Sequence, residues 1–199
     1  CKEKMKVKDF SENVYKVCEM ELSTDKSSPL WRILWDENLS KDLLNKRSGR
    51  CYFIVVDDDI YKIGYSDCKG GIRRTIDTYR SQGNSGSPSD RTYAIHIYIT
   101  EELLKGKKVE VYFQSMEEIE VSVRLANGKN IKMLTSISGK NLEVENVKLY
   151  KEMKGGLPLW NTQESNIKYP KYIIDGRIDL IKNKKRVTIE EVKERIGIL

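Results

Sequence analysis

The stretch RCYFIVVDDDIYKIGYS, Arg50–Ser66, places two short apolar runs either side of three aspartates and sets a lysine, Lys62, inside the second run. Runs of β-branched and aromatic residues bounded by turn-forming residues predict a β-hairpin with an acidic tip at Asp57, Asp58 and Asp59. A lysine beside Ile63 and Gly64 in such a hairpin either snorkels outward or is held inside for chemistry. Just beyond, Gly70 and Gly71 open a predicted helix in which Ile72, Ile76 and Tyr79 recur at helical spacing.

Before the hairpin, residues 9–48 read as a helical N-terminal extension: Leu30, Trp31, Ile33, Leu34, Trp35, Leu39, Leu43 and Leu44 supply an apolar stripe, and Pro29 suits a first helical turn. After the polar loop Gly83–Asp90, the runs TYAIHIYI (Thr92–Ile99) and KKVEVYF (Lys107–Phe113) read as strands flanking a short helical turn at Glu101–Lys105. Asn127-Gly128 sits where a tight hairpin turn needs positive φ. Residues 140–153 revert to a helical pattern, and Thr188 with Glu191 forms a capping-box signature for a last helix, Thr188–Ile196. The predicted class is α+β, an antiparallel sheet core flanked by helices. The expected division is residues 1–49 as extension, 50–163 as core and 164–199 as a short C-terminal extension, all in one compact domain.

A chain of 199 residues with 39% hydrophobic and 33% charged residues and a mean hydropathy of -0.57 can build one packed core. No apolar run approaches the roughly 20 residues of a membrane-spanning helix, and no signal peptide is visible. The net charge of +6 and pI near 9.0 point toward a polyanionic partner. Cys1, Cys18, Cys51 and Cys68 lack the paired spacing of a zinc site and read as reduced thiols of a cytoplasmic protein. Cys1 in first place, rather than Met, suggests a trimmed chain more than a lipid-bearing cysteine.

The sole histidine, His96, lies in the alternating run and is expected on a strand surface, which sets aside a Ser-His-Asp triad and a multi-histidine metal site. Neither a phosphate-binding loop nor a dinucleotide fingerprint is present. Tyrosine, lysine, arginine and carboxylate remain as reagents. That set suits phosphodiester cleavage: a positioned group activates water, cations stabilise the phosphorane-like charge, and a carboxylate holds a divalent metal at the scissile phosphate.

These residues carry a resemblance. Tyr52 closing Arg50-Cys51-Tyr52, Lys62-Ile63-Gly64 ten positions on, and a glycine-opened helix ending in Tyr79 resemble the signature of the GIY-YIG nuclease superfamily. Lysine at the head of the second triplet is similar to the variant in small type II restriction endonucleases of that type. The resemblance runs through Glu101–Leu104 and Val109–Tyr112 to Glu145-Asn146-Val147. It implies hydrolysis of double-stranded DNA at specific sites with Mg²⁺, Mn²⁺ being a possible substitute, by a homodimer whose two active sites cut opposite strands. Tyr52 would act as general base or orient the attacking water, with Lys62 tuning it and Tyr79 supporting the phosphate.

Glu145 matches the metal-binding glutamate and lies about 60° from Leu142, at the margin of a helix face formed by Leu142, Leu149 and Met153; Glu143 is the rival. The arginine expected four residues before Tyr79 is replaced by Thr75. On a helical wheel Arg73 joins Arg80 beside the Ile72-Ile76-Tyr79 face while Arg74 points away, so Arg73 is the expected transition-state cation, with Arg91 as alternative. Lys69, Arg74, Arg80 and Arg91 are expected DNA contacts, and Lys182, Lys184, Lys185 and Arg186 form a second basic run. A noncatalytic DNA-binding module, or a nuclease domain of a larger DNA-processing protein, is the competing expectation.

Overall fold

The computed structural model describes residues 5–10, 13–25, 29–41, 49–67, 70–114, 116, 118–162 and 168–198. The predicted hairpin forms strands β3 (Arg50–Val56) and β4 (Asp59–Ser66). Asp57 (φ 47°) and Asp58 (φ 68°) occupy its turn in the left-handed region, which aspartate tolerates better than most residues and which matches the twist of paired strands. Asp57 also ties the tip down: its amide donates to the Lys108 carbonyl at 3.0 Å, and its Oδ1 accepts from the Lys108 amide at 2.9 Å.

Three more strands join the same sheet: β1 (Val14–Leu22), β2 (Trp31–Trp35) and β5 (Val109–Gln114). The order is β2-β1-β5-β3-β4, and the neighbouring strands are antiparallel. The helical expectation for residues 9–48 is therefore overturned where they are described; Leu43 and Leu44 lie outside the described residues. In β2, Trp31 is buried and Ile33 and Trp35 pack against the core on alternate positions, but Leu34 interrupts the alternation in sequence and mimics a helical stripe.

Strand β3 is buried on both faces, which explains its uninterrupted apolar sequence. Tyr52, Ile54 and Val56 enter one core, and Cys51, Phe53 and Val55 the other. The first core is shared with α1 (Gly71–Asn84), α2 (Asp90–Leu104), α4 (Lys171–Ile178) with its π-helical continuation Asp179–Asn183, and α5 (Ile189–Arg195); the second is closed by α3 (Gly139–Lys154). Thr188 and Glu191 make the predicted capping box, and β6 (Ile119–Arg124) with β7 (Asn130–Thr135) makes the predicted hairpin, with Gly128 at φ 80° in its loop. Among the described residues no helix is long and apolar enough to cross a membrane.

Thr92–Ile99, expected as a strand, is the body of α2. Ser89 caps this helix by accepting from the Thr92 amide at 3.2 Å. Residues all around α2 are buried, so no helical period is visible in its sequence, and the alternation of Tyr93, Ile95, Ile97 and Ile99 imitates a strand. His96 is correspondingly not on a surface: it is fully buried, its ring packs 5.5 Å from Trp31, and burial lowers its pKa to about 4.

β4 is an edge strand of the sheet, and the chain after α3 covers it. The Trp160 amide donates to the Tyr61 carbonyl at 2.8 Å. The buried Asn161 side chain then accepts from the Ile63 amide (2.9 Å) and donates to the Ile63 carbonyl (2.8 Å), as a sixth strand would. Removing this amide leaves both backbone groups of Ile63 unpaired. Asn161→Ala should lower stability by about 1–3 kcal/mol in urea unfolding, and an unchanged midpoint would show that the clamp is dispensable.

Candidate active site

The hairpin register places Tyr52 opposite Gly64. A Cβ at Gly64 would collide with the Tyr52 ring and hydroxyl, so glycine is what allows the phenol to lie across β4. The Tyr52 hydroxyl meets the Tyr79 hydroxyl from α1 at 2.5 Å, with the rings edge to face. Lys62 and Ser66 leave β4 on the same side as Gly64, because alternate strand residues share a face. All of these line, or border, a cleft of about 280 Å³. Lys62 is thus a buried residue of the cleft wall, only 5% exposed, and does not snorkel outward.

Burial pushes the Tyr52 phenol well above its ordinary pKa, and the neighbouring Tyr79 adds to the shift; Arg91 opposes it. Tyr79 is also raised, chiefly by burial. Both phenols are therefore protonated in the free protein at neutral pH.

α3 contributes a carboxylate to the cleft, and it is Glu143; Asp67, just after β4, supplies a second. The inward stripe of this helix is Gly139, Leu142, Glu143, Asn146, Val147 and Tyr150, all buried or half-buried. Glu145 lies roughly 130° from the centre of that stripe. It is 69% exposed and pairs with Lys148 at 2.7 Å. The expectation that Glu145 looks into the site is corrected, because the face through Leu142, Leu149 and Met153 is not the buried one: Leu149 and Met153 are 45% and 46% exposed. What sets the rotation is Gly139. A Cβ there would lie 2.6 Å from the Arg50 carbonyl oxygen and 2.7 Å from Asp67 Oδ1, so the glycine seats the first turn of α3 directly on β3. Its amide donates to Asp67 Oδ1 at 3.0 Å, and one turn later Glu143 follows on the same side.

The arginines also differ from expectation. Arg74 and Arg91 line the cleft, whereas Arg73 lies outside it with its guanidinium 5.0 Å from the centre of the Trp35 ring. α1 has an apolar stripe with two margins: Arg74, Thr75 and Thr78 border the cleft, while Arg73, Asp77 and Arg80 face β2. Which margin meets the site depends on where β2 and β4 lie in the sheet, and a helical wheel does not contain that. Arg80 is held by Asp77 at 2.7 Å. Lys69 lies outside the described residues. Thr75, standing where an arginine was expected from sequence, exchanges a 2.5 Å hydrogen bond with Ser66.

Tyr52, Lys62, Tyr79, Arg74 and Arg91 are thus brought together, and Arg73, Arg80 and Glu145 are not. Asp67, Ser66 and Thr75 were missed as cleft residues; Gly139, and Asn146 beside Leu142 and Val147, were the available signals for the rotation of α3. Oxygen donors from Glu143, and from Asp67 with one oxygen already committed, suit a cation that keeps most of its water, as Mg²⁺ does. Among the described residues no group of three or more His, Cys, Asp or Glu forms a full protein cage.

No family model and no curated protein matches the chain. Solved structures that resemble it at a distance include the following two. A mutant of bacteriophage T4 EndoII is 24% identical with a TM-score of 0.43, over 74% of this chain and 90% of that one. The restriction endonuclease HPY188I, in complex with product DNA, is 22% identical with a TM-score of 0.45, over 81% and 88% respectively.

The close approach at Gly64 makes Gly64→Ala an overpacking change. A loss of about 1–3 kcal/mol is expected in urea unfolding, and wild-type stability would mean the phenol can leave its place without strain. The two raised phenols also fix a pH dependence. Unfolded tyrosine ionises near pH ~10, whereas the native pair holds its protons, so their contribution is complete below that pH and stability falls as pH rises above it. Tyr52→Phe should flatten this alkaline decline, and identical slopes for variant and wild type would contradict the protonated pair.

Proposed function

We propose that this chain hydrolyses phosphodiester bonds of double-stranded DNA as a site-specific endonuclease of the GIY-YIG type, most like the type II restriction enzymes. The observation that carries the reading is the convergence of two phenols, Lys62, two arginines and the carboxylates of Glu143 and Asp67 on a single cleft built from β3, β4 with the residue that follows it, and three helices. Water attack on phosphorus forms a bond to the water oxygen and breaks the bond to the leaving sugar oxygen, while the proton lost by the water passes to solvent and the leaving oxygen takes one up from solvent. Burial keeps Tyr52 protonated in the free protein, so its immediate role is to orient the attacking water. Lys62 and Arg91, on the same wall, favour loss of the phenol proton when substrate fills the cleft. Arg74 and Arg91 are placed to stabilise charge on the phosphoryl oxygens, a role expected for Arg73 from sequence. Tyr79 fixes Tyr52 through their shared hydrogen bond.

Glu143, supported by Asp67, takes the place expected for Glu145 and would hold Mg²⁺. A bound Mg²⁺ supplies charge neutralisation at the scissile phosphate. A homodimer with two-fold symmetry would cut both strands of a palindromic target.

Purified protein incubated with plasmid and phage DNA, with Mg²⁺ or with chelator, tests this reading. Discrete fragments that require metal are expected from wild type and Glu145→Gln. Cleavage should fall by about 10²-fold or more in Tyr52→Phe and be lost in Glu143→Gln. Intact DNA with all proteins, despite measurable duplex binding, would make the chain a noncatalytic DNA-binding module. Cleavage by Glu143→Gln but not by Glu145→Gln would return the metal to Glu145.

A further inference from the structure

Beside the catalytic cleft lies a second, wider groove of about 430 Å³ between the end of β2 and the outer margin of α1. Arg74 lines both, so the two share a wall. Gly70 permits this arrangement: a Cβ there would stand 2.7 Å from Arg74 Cβ and 2.8 Å from its Cδ, so the arginine stem lies folded over the glycine. The carboxylate of the groove, Asp77, accepts from both Nε (3.0 Å) and Nη2 (2.7 Å) of Arg80, which commits that pair to each other. Arg73 and Arg74 then dominate the groove's charge.

Arg73 is held differently from its neighbours. Its guanidinium lies over the Trp35 ring, 5.0 Å from the centroid. An aromatic face attracts the guanidinium as a cation and restrains its position without using up its N–H donors. A forked donor restrained in this way is partly preorganised for the oxygens of a phosphate, and less rotamer freedom is lost when one binds. The sheet order makes this possible, because Trp35 and Arg73 lie far apart in sequence and meet only through the packing of α1 on β2.

We propose that this groove is a second phosphate subsite for the nucleic-acid strand, with Arg73 gripping the backbone to one side of the scissile phosphate, Arg74 on the wall shared with the cleft, and Trp35 acting as the positioning residue for Arg73. The proposal rests on the nuclease reading of the adjacent cleft. A strand anchored in the cleft carries further phosphates at about 3.4 Å of rise each, so its backbone continues past Arg74 into the groove. Arg73 thereby contributes to substrate affinity and orientation and not to the chemical step.

The test is duplex binding in chelator, where no cleavage occurs, followed by fluorescence anisotropy of a short labelled duplex of mixed sequence across a salt series. The proteins are wild type, Arg73→Ala, Trp35→Ala, Trp35→Phe and Arg32→Ala. Arg32 is an exposed arginine of β2 paired with Glu21 and serves as a charge-loss control outside the groove. Arg73→Ala should weaken binding and make the slope of log affinity against log salt shallower by about one unit. Trp35→Ala should reproduce much of that loss, Trp35→Phe should recover it by keeping an aromatic face, and Arg32→Ala should keep the wild-type slope. In Mg²⁺, Arg73→Ala should raise KM and keep kcat.

An unchanged slope in Arg73→Ala, or a fall in its kcat at constant KM, would overturn the subsite while leaving cleavage by wild type intact. Wild type that neither binds nor cuts duplex would instead remove the nuclease reading on which the subsite stands. Inorganic phosphate at matched ionic strength should not compete with duplex for wild type; selective competition lost in Arg73→Ala would mark a free-anion site and overturn the proposal.

Discussion

The register of β3 on β4 is the constraint on which the rest of the molecule depends. Because strand side chains alternate, a slip of one residue would turn Tyr52, Lys62 and Ser66 away from the cleft and bury Cys51, Phe53 and Ile63 on the wrong side. Several features hold the register together. The Asp57-Asp58 turn fixes one end, and the irregularity between Ile54 and Val55 absorbs the mismatch between turn and pairing. Tyr52 and Gly64 interlock at the other end, and Asn161 takes up the hydrogen bonds of Ile63 that an edge strand would otherwise leave open. The same interactions that stabilise the sheet therefore aim the side chains of the proposed chemistry.

Burial cuts two ways at this site. It makes the phenol pair rigid and short, but it also opposes ionisation of either tyrosine. A tyrosine base in such a place depends on cations along the same wall, and Lys62, Arg74 and Arg91 are there. His96, the residue whose ordinary pKa would suit proton transfer at neutral pH, is sealed in the core against Trp31 and kept neutral. Proton movement in the cleft therefore has to be arranged by charge placement around phenols and not by an imidazole.

Much of this was legible in sequence where local rules dominate. The hairpin, its acidic turn, the helix opened at Gly70-Gly71, the Asn127-Gly128 loop and the final capping box all follow from turn and cap chemistry acting over a few residues. The failures share a different cause. α2 is buried on every side, so its β-branched and aromatic sequence shows no helical period, and β2 carries a Leu34 that imitates one. The site residues divide in the same way. Tyr52, Lys62 and Tyr79 are positioned by hairpin and helix spacing and were legible. Glu143 and Arg74 depend on which margin of a helix meets which strand, and that is decided by strand order and by the close seat of Gly139 on β3.

The two margins of α1 also explain why adjacent arginines acquire different tasks. About 100° separates Arg73 from Arg74 on the helix, enough to set one against Trp35 and to leave the other on the ridge between cleft and groove. A phosphoryl group undergoing attack needs donors in a water-poor cleft, where their field is least screened. A neighbouring phosphate needs only a restrained, accessible fork, which contact with an aromatic face provides. Because one helix serves both, any tilt of α1 that moved Arg74 relative to Tyr52 would move Arg73 relative to the incoming strand as well. In the proposed arrangement, binding energy gained in the groove is thereby coupled mechanically to alignment in the cleft, and the packing of Ile72 and Ile76 in the core is what would keep that coupling stiff.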